Sequence, residues 1–280
     1  MNEKGLGKRL QLARQAAGLT QQQLCQKANL SFSTLTKIER GAIKSPSIFT
    51  VEAIANALGT SLDKLIGHSP APDRKFLKTK SGVSFIYFDV NGCLVHFYQR
   101  AFSKLASAIG VSSDQVETAF WHHNDDVCRG TITMKDFNDY LAERLEIDSV
   151  DWMKYYLETV EPINEMQAIM KWASERYRVG LLTNIMPGQL KAMISSSALP
   201  NIEYDVVIDS SEVGVIKPEA KIYEIAQARA GCPPEEILLI DDARTNVMAA
   251  EKQGWHVLWF DDARIDEAVD RVREALEPAK

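Results

Sequence analysis

The segment Phe88-Asp89-Val90-Asn91-Gly92-Cys93-Leu94 follows directly on the apolar run Val83-Ser84-Phe85-Ile86-Tyr87. A buried strand that ends in aspartate and then meets glycine places a carboxylate at the carboxyl edge of a sheet. Open α/β sheets carry their reactive groups at that edge. Two positions after Asp89, Asn91 supplies an amide, which can donate and accept hydrogen bonds but cannot exchange a proton at neutral pH. The spacing therefore places a carboxylate where such sheets carry their chemistry, with an amide two positions on.

The elements that would position Asp89 follow from periodicity. Four more β-rich runs end near polar residues: 179–183, 205–208, 237–241 and 256–260. Helical patterns separate them, at about 163–177, 187–198, 219–230, 244–253 and 264–276. Strands alternating with helices predict a parallel sheet covered on both faces. Between the first strand and residue 162 only helical patterns occur, at about 98–109, 113–122, 133–146 and 149–158.

The run Asp89-Val90-Asn91-Gly92-Cys93-Leu94 resembles the first motif of the haloacid dehalogenase (HAD) superfamily, Asp-x-Asp-Gly-Thr/Val-Leu after a strand, with Asn91 in place of the second aspartate. The later motifs come in that family's order: Thr183-Asn184, Lys217-Pro218-Glu219 and Asp241-Asp242 with Asn246. The resemblance implies a Rossmann-like α/β domain over 83–280, with a small helical cap at about 97–160. It implies Asp89 as nucleophile. Thr183 and Asn184 would hold a phosphoryl oxygen, and Lys217 would neutralise charge on the nucleophile and the transferring group. Mg²⁺ would be bound by Asp89, the Asn91 carbonyl oxygen and Asp242, with Asp241 in support; a hard cation takes such oxygen ligands. The motif details look like the branch with sugar-phosphate phosphatases and the epoxide-hydrolase N-terminal domain. In the family mechanism the second aspartate protonates the leaving oxygen and then activates water, so Asn91 implies a cost of about 10²–10⁴ in rate. His96, His122, His123 and Asp125 are the candidate substitutes, and Cys93 reads as a small filler.

Residues 1–66 have a different character. Leu6, Leu10, Leu12 and Ala13 fall at helical spacing up to Gly18, and Thr20 with Gln23 reads as a capping box. Ser31 caps a helix from Phe32 to Arg40, which Gly41 ends. Further helices are expected at about 47–58 and 62–66. The string Leu19-Thr20-Gln21, Leu24, Leu30-Ser31, Leu35, Ile38-Glu39-Arg40-Gly41, Pro46 and Leu58-Gly59 is similar to the Cro/C1 (XRE) repressor family. That likeness implies an all-α helix-turn-helix domain held by an Arg14–Glu39 ion pair. Its third helix would enter the major groove of double-stranded DNA. Phe32, Ser33, Thr36 and Lys37 would face the bases, with Gln21 and Lys44 at phosphates. A protein-interaction role for such a domain is the alternative. Residues 67–82, with Pro70 and Pro72, read as a linker.

The net charge of −6 over 280 residues is divided unevenly, at +5 for residues 1–66 and −11 for the remainder. A basic front end joined to an acidic body suits a polyanion partner for the front end alone. No apolar stretch approaches eighteen residues, so no membrane partner is expected. The four cysteines have no C-x-x-C spacing and read as reduced thiols of a cytoplasmic protein. These observations together suggest a DNA-binding regulator, expected as a homodimer, whose HAD-like domain senses a phosphorylated small molecule with weak or no turnover. The alternative is a Mg²⁺-dependent phosphatase with the helix-turn-helix as a targeting or dimerising module.

Overall fold

The computed structural model describes residues 3–43, 46–60 and 76–279. The chain forms two compact units, divided between Lys75 and Phe76. The helix expected at 62–66, the proline-containing part of the linker and Lys44 lie outside the described residues.

The first unit contains helices α1 (Glu3–Ala16), α2 (Gln21–Ala28), α3 (Phe32–Glu39) and α4 (Ile48–Leu58). The Thr20 hydroxyl accepts from Gln23 N at 3.2 Å, while Gln23 Oε1 accepts from Thr20 N at 2.8 Å. This reciprocal cap fixes where α2 begins. Asn29, in the left-handed region at φ 51°, ends α2, and the Ser31 hydroxyl caps α3. The resulting tight turn lets Leu24, Cys25 and Ala28 meet Leu35 and Ile38 in one core with Leu10, Ile54 and Ala55. Gly7 is required at its position, because a Cβ there would lie 2.3 Å from the Ile38 carbonyl oxygen. So close an approach of α1 to α3 brings Arg14 to Glu39. Arg14 Nε donates to Glu39 Oε1 at 2.7 Å and Nη2 to Oε2 at 3.1 Å, both side chains being buried.

The second unit is built on a five-stranded parallel sheet, with β1 (Phe85–Phe88), β2 (Arg178–Thr183), β3 (Val206–Asp209), β4 (Ile237–Asp241) and β5 (His256–Trp259) in the order β3-β2-β1-β4-β5. The chain winds outward from β1 in one direction, then crosses over and winds in the other. The crevice between β1 and β4 is therefore the switch point at which such sheets hold ligands. Alternate residues of β1 face opposite layers. Ile86 and Phe88 join the core with Met166, Met170 and Val269, whereas Phe85 and Tyr87 join Ile222, Tyr223 and Ala226. Both layers are apolar because helices cover both faces.

An all-helical insertion follows β1, comprising α5 (Gln99–Ile109), α6 (Ser113–Trp121), α7 (Asn124–Cys128), α8 (Met134–Arg144) and α9 (Trp152–Leu157). Its centre is a set of fully buried aromatic side chains, Phe102, Phe120, Phe137 and Trp152. Two backbone hydrogen bonds join its ends, Ile163 N to Leu94 O at 3.0 Å and His96 N to Glu161 O at 2.9 Å. The helices α10 (Asn164–Ser174), α11 (Gln189–Ser195), α12 (Ser210–Val213), α13 (Ala220–Ala230), α14 (Arg244–Lys252) and α15 (Ile265–Ala275) complete the unit.

Two sequence expectations are corrected here. Residues 76–82 were assigned to the linker, yet they belong to the α/β unit. Leu77 N donates to Arg176 O at 2.8 Å, Lys80 N to Glu277 O at 2.8 Å, and Thr79 is buried. Their basic, polar composition hid backbone pairing with the opposite end of the domain. The short helices α7 and α12 were also missed, since five and four residues are too few for a periodic pattern.

The buried Arg14–Glu39 pair makes a quantitative prediction. Glu39→Ala leaves a guanidinium buried without its carboxylate, which costs about 3–5 kcal/mol. Hydrogen–deuterium exchange of the α1–α3 amides in the full chain should accelerate accordingly, while the β1 and β4 amides stay protected. Unchanged α1–α3 protection would remove the pair from its structural role.

Candidate functional site

The parallel register brings the acidic residues together. Phe88 pairs with Ile240, and Asp89 N donates to Ile240 O at 2.9 Å, so the next residue on each strand, Asp89 and Asp241, stand side by side. Asp242 follows at once, and oxygen atoms of Asp89, Asp241 and Asp242 lie within 4.8 Å of one another. Gly92, at φ 89°, closes the β1 loop against them. A Cβ at this position would be 2.3 Å from Asp242 Oδ2, so a side chain here is excluded.

One cation faces this cluster. Lys217 Nζ lies 2.8 Å from Asp89 Oδ1 and 2.6 Å from Asp241 Oδ2, and it donates to Leu182 O at 2.8 Å. An ammonium has three N–H groups, and here all three are committed. Lys217 therefore neutralises Asp89 directly, whereas contact with any further anion requires one of these bonds to exchange. The loop carrying Lys217 is fixed by Asn184, whose Nδ2 donates to Lys217 O at 2.8 Å and whose Oδ1 accepts from Lys217 N at 2.7 Å. Asn184 is expected, with Thr183, to hold a phosphoryl oxygen, and its side chain positions Lys217. The Thr183 hydroxyl, at the end of β2, is buried and has no hydrogen-bond partner among the described residues. Such an atom is costly unless a ligand or water satisfies it.

Asp241 and Asp242 differ in their surroundings. Asp241 is fully buried and also accepts from Ala243 N at 2.9 Å and from Asn246 Nδ2 at 3.0 Å. Asp242 is half-buried, and no cation pairs with its carboxylate among the described residues. Burial, with Asp89 and then Asp241 beside it, pushes the Asp242 carboxyl up to about 8. Burial likewise raises Asp89 to about 6, with Lys217 opposing the shift and Asp241 adding to it. For Lys217, burial works against the charged form, but Asp241 and Asp89 outweigh it and the ammonium is held charged. Three carboxylates against one ammonium leave a formal excess of two negative charges. An all-oxygen donor set with that excess fits a hard divalent cation such as Mg²⁺.

Asn91 is buried, and both polar atoms of its side chain are engaged by the cap. Nδ2 donates to the Tyr98 hydroxyl at 3.0 Å, and Oδ1 accepts from the Tyr156 hydroxyl at 2.9 Å. Neither tyrosine was singled out from the sequence. The only signal available was that a buried tyrosine needs a partner for its hydroxyl. The candidate substitutes for a proton carrier are elsewhere: His96, His122 and Asp125 are exposed, and His123 stacks on Tyr140 and lies 3.5 Å from Asp126. Cys93 is fully buried, and burial together with Asp89 and Asp242 pushes its thiol far up, which suits a filler and not a nucleophile.

On α3 the residues expected to read bases divide. Phe32, Ser33 and Lys37 are exposed, Phe32 by 51%. Thr36 is half-buried, and its hydroxyl is enclosed without a partner among the described residues. Gln21, expected at a phosphate, has its side-chain amide donating to Glu39 Oε2 at 2.7 Å and so extends the internal ion pair.

If the excess charge is what a cation relieves, Mg²⁺ at about 100 times its Kd stabilises the α/β unit by about 2.7 kcal/mol. Thermal unfolding should show that gain, and Asp242→Asn should abolish it. A gain that survives in Asp242→Asn would place the cation elsewhere.

Comparison with known proteins agrees with this geometry. The family model described as helix-turn-helix matches residues 10–65, and that described as haloacid dehalogenase-like hydrolase matches residues 83–254. The immunity repressor protein of Bacillus phage phi105 is 45% identical over 62 residues, 22% of this chain and 42% of the repressor. An (S)-2-haloacid dehalogenase of Pseudomonas fluorescens is 26% identical over 105 residues, 38% of this chain and 46% of the enzyme. The chain thus spans less than half the length of these curated relatives. A HAD-like hydrolase from Porphyromonas gingivalis superposes with a TM-score of 0.56 at 25% identity, over 69% of this chain and 98% of that one. A HAD family enzyme from Bacteroides thetaiotaomicron, solved with magnesium and inorganic phosphate, has a TM-score of 0.55 at 19% identity, over 64% and 94%. No helix among the described residues is long and apolar enough to cross a membrane. The chain belongs to the haloacid dehalogenase-like hydrolase family and carries, ahead of that domain, a helix-turn-helix DNA-binding domain.

Proposed function

We propose that this protein is a DNA-binding transcriptional regulator whose HAD-like domain senses a phosphorylated small molecule and turns it over slowly or not at all. The observation that carries this reading is the state of Asn91. Its amide is bound to two buried tyrosines at the point where phosphoryl chemistry needs a proton carrier. The groups that bind rather than transfer protons are all in place around it: Asp89, Lys217, Thr183 and Asp242.

In this reading Asp89 and Asp242, with the Asn91 carbonyl oxygen, hold Mg²⁺ and Asp241 supports them. When bound, the cation neutralises the carboxylates and polarises a phosphoryl oxygen. The Thr183 hydroxyl donates to the ligand, and Lys217 keeps Asp89 ionised. The magnesium and phosphate present in the Bacteroides enzyme support this ligand class. Ligand binding changes the population of cap positions in proportion to its differential affinity for them. In a homodimer the two α3 helices must fit half-sites about one DNA turn apart, roughly 34 Å, so a shift between units decides binding. Phe32 offers apolar contact to a thymine methyl, and Ser33 and Lys37 supply hydrogen bonds. The similarity to a phage immunity repressor supports the DNA side of the reading.

The test combines a duplex selected from a random-sequence pool with measurements on the full chain. Lys37→Ala should weaken duplex binding and lower its salt slope by about 1, while Phe32→Ala should cost about 1–3 kcal/mol at a single base step. Inorganic phosphate with Mg²⁺ should bind and shift the apparent duplex affinity. Rapid hydrolysis of sugar phosphates by the unaltered chain, with no selected duplex, would replace this reading by the phosphatase one.

A further inference from the structure

We propose that Asp89 takes a phosphoryl group from an acyl phosphate and keeps it, so that this domain records its signal as a covalent aspartyl phosphate. The inference rests on the sensor reading above and names the chemistry of its ligand.

The argument starts from what surrounds residue 91. The Asn91 amide has no proton to give or take at neutral pH. Its two partners are neutral phenols: Tyr98 accepts from Nδ2, while Tyr156 donates to Oδ1 and also lies 3.3 Å from Met193 Sδ. A phenol keeps its proton at neutral pH, so neither hydroxyl is a base there. The charged groups around Asp89 are Lys217, Asp241 and Asp242. Lys217 has all three donors committed, and Asp241 is saturated by Lys217, Asn246 and Ala243.

A site of this kind separates the two halves of phosphoryl transfer by their need for protons. In the first half an Asp89 carboxylate oxygen forms a bond to phosphorus, and the bond from phosphorus to the leaving oxygen breaks. The electron pair departs with that oxygen. From an alkyl phosphate it would leave as an alkoxide, whose conjugate acid has a pKa near that of water, about 15.7, so it needs a proton at once. From an acyl phosphate it leaves as a carboxylate with a pKa of about 4 and needs none. The balanced products are the Asp89 mixed anhydride with phosphate and a free carboxylate. In the second half, water must lose a proton as it attacks phosphorus. Asp242, the one carboxylate not already saturated, is a cation ligand in the reading above, so among the described residues no base is left to receive it, and a general base is worth about 10²–10⁴ in rate. The first half therefore proceeds with an activated donor and the second stalls. The phosphoryl group remains on Asp89, with the unpartnered Thr183 hydroxyl placed at the end of the adjacent strand β2.

The experiment is to incubate the full chain with acetyl phosphate and Mg²⁺ and follow intact mass. The expected result is a gain of one phosphoryl group, absent in Asp89→Asn, removed by hydroxylamine, and not produced by glycerol phosphate. After removal of donor, Asn91→Asp should lose the group at least about 10²-fold faster than the unaltered chain. Asn91→Ser, which frees both tyrosines without adding a base, should keep the slow loss and guards against an effect of side-chain removal alone. No mass gain, a gain that persists in Asp89→Asn, or loss from the unaltered chain as fast as from Asn91→Asp would overturn the proposal. So would equally rapid loss from Asn91→Ser. Calorimetric binding of inorganic phosphate with Mg²⁺ separates the two readings. Binding without labelling overturns storage and leaves the sensor standing; absence of both overturns both.

Discussion

A single buried ammonium, Lys217, is shared by the carboxylates of Asp89 and Asp241, with Asp242 beside them. The order of the α/β unit depends on that contact. It ties the loop before α13 to the ends of β1, β2 and β4 at once, because Lys217 also donates to Leu182 O. Asn184 fixes the backbone of Lys217, and Asn246 fixes the carboxylate of Asp241, so the charges are held by hydrogen bonds as well as by each other. Removing either member of such a buried pair leaves an uncompensated charge, at a cost of several kcal/mol. The charge excess that remains is not a defect of packing. In the proposed reading it is the condition under which a divalent cation and an anionic ligand would bind together in preference to either alone.

Asn91 has to be understood against that excess. An aspartate in its place would add another carboxylate beside Asp89 and Asp242. The amide offers one donor and one acceptor, which matches the way Tyr98 accepts and Tyr156 donates. Two neutral hydrogen bonds of about 1 kcal/mol each then tie the cap to the β1 loop without deepening the negative potential. Arg129 of the cap also pairs with Glu219, two residues after Lys217, at 2.5 Å, so the cap touches the charged cluster's support from a second direction. The cap is therefore coupled to the site through contacts that a ligand must share or displace. The same substitution that removes proton transfer strengthens the mechanical connection between ligand and cap.

The sequence made the strand ends legible, and the reason is geometric. Parallel strands that terminate in polar residues must present them at one edge, so Asp89, Thr183 and Asp241 could be placed together from the runs alone. The Arg14–Glu39 pair came from a resemblance, and the approach of α1 to α3 at Gly7 provides its physical basis. What was not legible depends on contacts between distant segments. Tyr156 lies 65 positions from Asn91, and nothing in local periodicity distinguishes it from Tyr155. Asn184 and Gln21 were expected at phosphates, and the support their side chains give to Lys217 and Glu39 was not visible in the sequence. Residues 76–82 looked like linker because their partners are at the far end of the domain, around Glu277. Composition describes a segment, and it does not describe what the segment pairs with.

A regulator and a catalyst make opposite demands on the same cradle. A catalyst must release its product quickly, so tight binding of the phosphorylated state works against it. A sensor needs that state to persist long enough to bias a slower equilibrium, and it can shift that equilibrium only by its differential affinity, with a factor of ten for each 1.4 kcal/mol. Loss of the proton carrier moves the site from the first regime toward the second while leaving charge complementarity intact. The charge division of the chain serves the output in the same way. The acidic −11 remainder is repelled by a duplex and the +5 front end is attracted. Screening limits both effects to roughly 8 Å at physiological salt. In the proposed reading, encounter with a duplex is thus favoured at residues 1–66, where the exposed side of α3 lies.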